Sequence, residues 1–147
     1  MKLKRITSAW HDYPYAEGVR FSVKAMNSGL ASQIRDEGMS DRVVMSVEEG
    51  AKPEIIQEVR RKAENEAYIC LMVEDWEGLY DADDKVLKCT SQNRLRLCRE
   101  LDDMDYQKLV KWLRETVHGI TQVAEIQQEE SEKNSETTRD GLPQPTE

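Results

Sequence analysis

The sequence predicts an α+β fold, with an N-terminal β-hairpin or small antiparallel sheet packed with three to four α-helices and a disordered acidic C-terminal tail. Three patterns predict it: alternation early in the chain, one long helical stretch after Pro53, and a loss of apolar residues near the C-terminus. A length of 147 residues suits one domain. We therefore assign residues 1–128 to a single α+β domain and residues 129–147 to a disordered acidic tail.

The N-terminal strand is predicted from a period of two. Residues 19–25 alternate apolar and polar side chains, which places one face on a core and the other in water. Residues 3–6 alternate more weakly, and residues 13–18 between the two segments contain Pro and Gly. A β-hairpin or a pair of neighbouring strands is expected.

Two short elements follow the strand. Ser28 or Ser32 can cap a helix that runs through Glu37 and is closed by Gly38. Residues 41–47 contain three valines, whose branched side chains favour an extended chain, and we predict a strand there.

The longest helix is predicted after Pro53, a residue that suits a first helical turn. Apolar residues at helical spacing continue to Val73, which gives a helix of about 20 residues. Gly78 then permits the positive φ of a chain reversal. Residues 79–80 and 86–87 flank an acidic turn and suit a short hairpin with Asx-type hydrogen bonds.

Two further helices complete the domain. Thr90 or Ser91 can cap the first, and Asp102 or Asp103 can cap the second. The second has an apolar stripe with Trp112 beside it. Its apolar residues are Leu109, Val110, Leu113, Val117, Ile120, Val123, Ala124 and Ile126.

Charge and cysteine content limit the functional class. A net charge of −8 and a pI near 4.9 argue against nucleic-acid binding, which needs a basic surface. The longest apolar run, residues 67–73, is far shorter than the roughly 20 residues of a membrane span. Three cysteines without CxxC spacing and without a signal peptide fit a reducing compartment. We expect a cytoplasmic protein with neither nucleic acid nor membrane as a partner.

Asp81, Asp83 and Asp84 invite comparison with a calcium loop, but the spacing fails. An EF-hand needs Gly at loop position six and Glu at position twelve, where this chain has Val86 and Gln92. A solvated turn stabilised by Asp side chains is the preferred interpretation.

The two histidines do not predict a catalytic or metal site. His11 and His118 are too isolated for zinc, and His11 beside Asp12 lacks a nucleophile at recognisable spacing, so a polar turn is expected there. The serines and cysteines lack a Gly-rich nucleophile elbow. We predict no enzyme, no catalytic residue, no metal and no cofactor.

Trp76 is expected to fix a structural corner between the long helix and the acidic hairpin. We assign the same corner to Gly78, Asp81, Thr90 and Asn93.

A partner-binding surface is a second expectation. Trp112 and its neighbours on the last helix contribute either to the core or to a protein interface. The possible partner-binding residues are Trp112, Leu109, Leu113, Val117 and Ile120.

The order Trp76-Glu77-Gly78, Asp81, Thr90 and Gln92-Asn93 before a leucine-rich helix resembles small tailed-bacteriophage proteins of the tail assembly chaperone type. In those proteins the corner commonly runs Trp-x-Gly, Asp-x-x-Gly, Thr-x-Glu-Asn. Asp84-Lys85 stands where they tend to have Gly.

The N-terminal end of the chain carries a second match. Tyr13-Pro14 and residues 17–21 are similar to the opening strand of such proteins.

The resemblance implies a cytoplasmic, non-enzymatic protein that binds the long helical tape measure protein, or another tail protein, during virion assembly. One alternative is a virion structural component, such as a tail completion or head-tail joining protein. A small host or prophage regulatory protein is a further alternative. The oligomeric state is left open.

Overall fold

The computed structural model describes residues 8–140, which form three strands and five helices. In chain order these are β1 Ser8–Asp12, β2 Arg20–Lys24, α1 Ser28–Gly38, α2 Asp41–Glu48, α3 Pro53–Met72, β3 Val73–Glu77, α4 Ser91–Glu100 and α5 Asp103–Asp140. The predicted α+β class is confirmed. The weak alternation at residues 3–6 lies outside the described residues.

The strands form one antiparallel sheet in the order β1-β2-β3. Strands β1 and β2 make a hairpin around the predicted turn, with Ser8–Asp12 as its first strand where residues 3–6 were expected, and His11 lies opposite Phe21. The backbone N–H of Tyr13 donates to the carbonyl oxygen of Val19 at 2.8 Å and closes the connecting loop. The polar-turn interpretation of His11 was wrong, because this residue lies within β1.

Strand β3 was not predicted. Helix α3 ends at Met72, and Val73 adopts extended backbone angles (φ −84°, ψ 113°) and opens β3 without an intervening loop. Trp76 then pairs with Phe21 on β2. The central strand is hydrogen-bonded on both sides as a result.

The predicted strand at residues 41–47 is wrong, since these residues form most of helix α2. Val43 is buried on the side that packs against α3, whereas Val44 and Val47 are exposed. This helical contact overrides the β preference of valine, which depends strongly on context.

The helix caps follow the sequence in part. Asn27, one residue before Ser28, caps α1 by accepting the N–H of Leu30 at 2.8 Å. Thr90 caps α4 as predicted, since its hydroxyl oxygen accepts the N–H of Asn93 at 3.1 Å.

The core lies between the sheet, α3 and the first half of α5. Phe21, Ile69 and Leu113 are among its fully buried side chains. Helix α5 contributes the apolar side chains of one face between Leu109 and Ile120. Burial of such aliphatic and aromatic residues is the main stabilising term of the fold.

Helix α5 reaches well past the core. The predicted disordered tail spans residues 129–147; the backbone is helical as far as Asp140, and residues 141–147 lie outside the described part. A helix of 38 residues is about 57 Å long at 1.5 Å per residue.

Candidate functional site

The predicted corner is assembled around Trp76. Its ring is buried, and its indole N–H donates to the carbonyl oxygen of Leu87 at 2.6 Å. Leu87 in turn donates its own N–H to the carbonyl oxygen of Leu79 at 2.9 Å. The indole therefore ties strand β3 to the far arm of the acidic hairpin.

Gly78 lets the chain turn out of β3 against the neighbouring loop. Its φ is +84°, and a Cβ atom at this position would collide with the backbone of Gly18. Only glycine meets both conditions without strain.

The acidic hairpin is organised by Asp81. Its carboxylate accepts the N–H groups of Asp83 and Lys85, each at 2.9 Å. Asp84 has a φ of +59° and fills the left-handed position where the resembling proteins tend to have Gly. The Asp81 carboxylate thus forms an Asx turn, as the sequence predicted.

Asn93 completes the corner. Its side-chain amide donates to the carbonyl oxygen of Lys88 at 2.8 Å, just before the Thr90 cap. The five predicted corner residues thus occupy one continuous junction from β3 through the hairpin to α4.

The predicted partner-binding residues lie largely inside the domain. Leu109, Leu113, Val117 and Ile120 are at most 6% exposed and belong to the core cluster. Of the two roles that the sequence left open, their burial favours the core.

Trp112 is partly buried in an aromatic cluster. Its ring centroid lies 5.1 Å from that of Tyr13 and 5.6 Å from that of Phe21. Such pairs add roughly 0.5–1.5 kcal/mol beyond burial. Trp112 therefore joins α5 to the hairpin. Trp10, by contrast, is 38% exposed and stacks under Arg20.

Beyond Ile120, α5 extends past the buried core cluster. We call residues 121–140 the distal α5 segment. One side of it, including Thr121 and Ala124, lines a groove of about 390 Å³ against the segment that follows β2. The hydroxyl of Thr121 accepts the N–H of Met26 at 2.9 Å. Val123 and Ile126 lie elsewhere on the helix and are 46% and 54% exposed.

A second open apolar surface surrounds α2. We call it the α2 patch. Its side chains are all between 46% and 57% exposed. They are Met39, Val44, Met45, Val47 and Ile55.

A groove of about 360 Å³ lies among α1, the start of α2, α3 and α4. We call it the α3–α4 groove. Glu66 on its floor binds Arg42 at 2.9 Å and Arg99 at 3.3 Å, and so joins three helices. Arg94 donates to the carbonyl oxygen of Glu74 at 2.9 Å, while its buried Nε has no partner among the described residues.

Two thiols meet at this groove. Cys70 lines it, and Cys98 lies beside Arg99, whose guanidinium pairs with Glu66 one turn before Cys70. A hydrogen bond from Cys98 lowers the pKa of Cys70, with Arg94 and Arg99 acting in the same direction, while burial and Glu66 oppose it. The same bond and burial raise the pKa of Cys98. Sequence reasoning missed this pair, because 28 positions separate the two cysteines and no motif joins them.

Other candidate chemistry finds no geometric support within residues 8–140. Among the side chains that the structure describes, no group of three or more His, Cys, Asp or Glu could hold a metal ion. His118 is exposed on α5. None of the helices described here is long and apolar enough to cross a membrane.

The fold and the surface together define a small α+β protein with a hydrogen-bonded corner, a last helix that extends past the core, and exposed apolar side chains. A sequence model of the YdaY prophage protein family matches residues 19–134. This match runs from the start of β2 deep into the distal α5 segment, and the chain belongs to that family. No curated protein and no solved structure matches the chain significantly. The phage origin suggested by the corner motif is confirmed at this level.

Proposed function

We propose that this prophage protein is a non-enzymatic binding protein that engages another phage protein through its distal α5 segment during virion assembly. The finer role we propose is that of a tail assembly chaperone, with the tape measure protein as its partner. The observation that carries the proposal is the continuation of α5 beyond the core, with Val123 and Ile126 exposed.

A helical extension of this kind gains little stability by itself. In proteins most helical stability comes from packing of an apolar face. The distal α5 segment has its apolar side chains at one end, near the domain. A helix from a partner that packs beside Val123 and Ile126 would supply the missing contact.

Val123 and Ile126 are suited to one contact surface because they are three residues apart and therefore adjacent on the helix. Carboxylates dominate the chain beyond them. Residues 125–147 contain six Glu and Asp besides Glu125, against one Lys and one Arg, which gives seven minus two, or a net charge of −5. An acidic surround keeps a complex with an apolar partner helix soluble.

The corner supports the finer role by resemblance. Four residues at which the chain is similar to the tail assembly chaperone pattern, Trp76, Asp81, Thr90 and Asn93, each take part in a hydrogen bond within the corner. Asp84 takes the left-handed conformation for which glycine is common in that pattern.

The test is co-expression of the full chain with the tape measure protein of the same prophage. Co-purification is measured for the unchanged chain, for the pair Val123→Glu and Ile126→Glu, and for the matched pair Val44→Glu and Val47→Glu on the α2 patch. We expect the α5 pair to lower recovery at least about tenfold, as for an interface hot spot, and the α2 pair to leave it unchanged. Loss with the α2 pair alone would assign binding to the α2 patch and overturn the proposed surface.

Mass spectrometry of purified phage particles separates the chaperone from a virion component. Absence from particles together with co-purification supports the proposed role. Stoichiometric presence in particles would overturn it and favour a tail completion or head-tail joining protein.

A further inference from the structure

Helices α3 and α4 face each other along the α3–α4 groove in opposite directions. Glu66 on α3 is paired with Arg99 on α4 at 3.3 Å. The backbone carbonyl oxygen of Glu74, just past the end of α3, accepts a hydrogen bond from Arg94 near the start of α4 at 2.9 Å. Cys70 lies one turn beyond Glu66 on α3, and Cys98 lies next to Arg99 on α4, so both cysteines fall within the stretch that these two contacts bracket.

Residues four apart share a helix face, so Cys70 lies on the same face of α3 as Glu66, and Cys98 lies on the same face of α4 as Arg94. The two flanking polar contacts therefore bring together the helix faces that carry the two thiols. Cys70 opens into the groove, whereas Cys98 is packed partly against the core.

The third cysteine is placed differently. Cys89 lies in the segment before α4, and its thiol donates to the carbonyl oxygen of Glu74 at 3.7 Å. Burial raises the pKa of its thiol. Cys89 is therefore a matched internal comparison in the same region of the fold.

We propose that Cys70 and Cys98 form a peroxide-reactive thiol pair, in which Cys70 is the attacking thiolate and Cys98 resolves it to an intramolecular disulfide. The Cys70 thiolate attacks one oxygen of hydrogen peroxide, the O–O bond breaks, and the departing hydroxide takes a proton to leave as water. Cys70 is then a sulfenic acid. The Cys98 sulfur attacks the Cys70 sulfur, the S–O bond breaks, and the Cys98 proton and the hydroxyl leave as a second water.

Both sulfurs are oxidised by one electron each, and the peroxide is reduced by two. The groove is suited to the first step, because Arg94 and Arg99 lie beside the thiolate and Cys70 is accessible. The Cys70–Cys98 disulfide joins α3 covalently to α4. It closes a loop of the chain that contains the whole Trp76 corner.

The experiment treats the full-length folded protein with hydrogen peroxide and maps the products without reduction. Trypsin places the three cysteines on separate peptides, residues 63–85, 89–94 and 97–99. We expect the peptide of Cys70 joined to that of Cys98, with the loss of two hydrogen atoms and reversal by dithiothreitol. A predominant link from Cys70 to Cys89, or between two chains, would overturn the proposal.

Single variants assign the order of attack. In Cys98→Ser we expect dimedone to trap a sulfenic acid at Cys70, and in Cys70→Ser we expect oxidation of Cys98 to slow at least about tenfold. Cys89→Ser should leave the product unchanged. Dimedone labelling at Cys98 in place of Cys70 would overturn the assigned roles. Circular dichroism of each variant shows whether it is folded, and the mapping of the unchanged protein decides the pairing without any variant.

Discussion

The indole N–H of Trp76 donates to the carbonyl oxygen of Leu87 at 2.6 Å, across the acidic hairpin. The two residues are 11 positions apart, and the bond joins the end of the sheet to the segment that leads into α4. Because the ring is also only 5% exposed, one side chain serves both as a core residue and as a polar tie.

Two substitutions at Trp76 separate these two roles. Trp76→Ala should lower the free energy of unfolding by about 3–5 kcal/mol, as for other buried aromatic residues. Trp76→Phe retains most of the apolar ring but leaves the Leu87 carbonyl without its donor, and should cost about 1–3 kcal/mol. Urea unfolding followed by circular dichroism measures both. Equal losses for the two variants would show that the hydrogen bond, not the ring, dominates.

Gly78→Ala should destabilise the protein more than Gly50→Ala. Both glycines have positive φ, +84° and +72°, so each substitution costs about 1–2 kcal/mol for the left-handed backbone. Only at Gly78 would the new methyl group meet a backbone, that of Gly18, which adds about 1–3 kcal/mol of overpacking. Thermal unfolding of the two variants measures the difference. Equal unfolding midpoints for the two variants would contradict the close approach of Gly78 to the Gly18 backbone.

Asp84 should tolerate glycine better than any branched residue. Its φ of +59° is costly for most side chains, and glycine removes that cost while adding unfolded-state entropy of about 0.4–1 kcal/mol. We expect Asp84→Gly to remain within about 0.5 kcal/mol of the unchanged chain, Asp84→Ala to lose about 1 kcal/mol, and Asp84→Val to lose more. Melting temperatures check this order. A glycine variant that melts at a lower temperature than the alanine variant would contradict this order.

The alkylation rate of Cys70 should reach its half-maximum at a lower pH than that of Cys89. The thiolate is the nucleophile. A hydrogen bond from Cys98 lowers the pKa of Cys70, whereas burial raises that of Cys89. Burial and Glu66 oppose the lowering of the pKa at Cys70, and Arg94 and Arg99 support it. Iodoacetamide labelling across a pH series, read by peptide mass spectrometry, gives both profiles, and coincident or inverted midpoints would contradict the environments described.

The sequence predicted the elements that have their own local signals. Pro53 marked the start of α3, Thr90 capped α4, and the hairpin turn depended on the Asp81 side chain. Strand β3 has no such signal, since Val73 continues the apolar pattern of α3 and no turn residue separates the two elements. Its extended conformation comes from pairing with β2, fifty or more positions earlier in the chain.

The same limit explains the missed features of the candidate site. The valines of α2 favour a strand locally, but packing of Val43 on α3 makes them helical. Cys70 and Cys98 meet only because α3 and α4 pack together, and neither residue has a nearby motif. Patterns within a few residues predict local structure, whereas contacts between distant segments require the fold.

The distal α5 segment should be dispensable for folding. Ile120 is the last residue of α5 in the buried core, and Val123 and Ile126 beyond it are about half exposed. A chain that ends at Ile126 should therefore keep its melting temperature and lose helical circular dichroism signal in proportion to the residues removed. A chain that ends at Val117 is the control, because it also loses the buried Ile120 and should melt several degrees lower. A large drop in melting temperature on ending the chain at Ile126 would mean that the segment supports the domain, and would remove the main reason for proposing that it serves a partner.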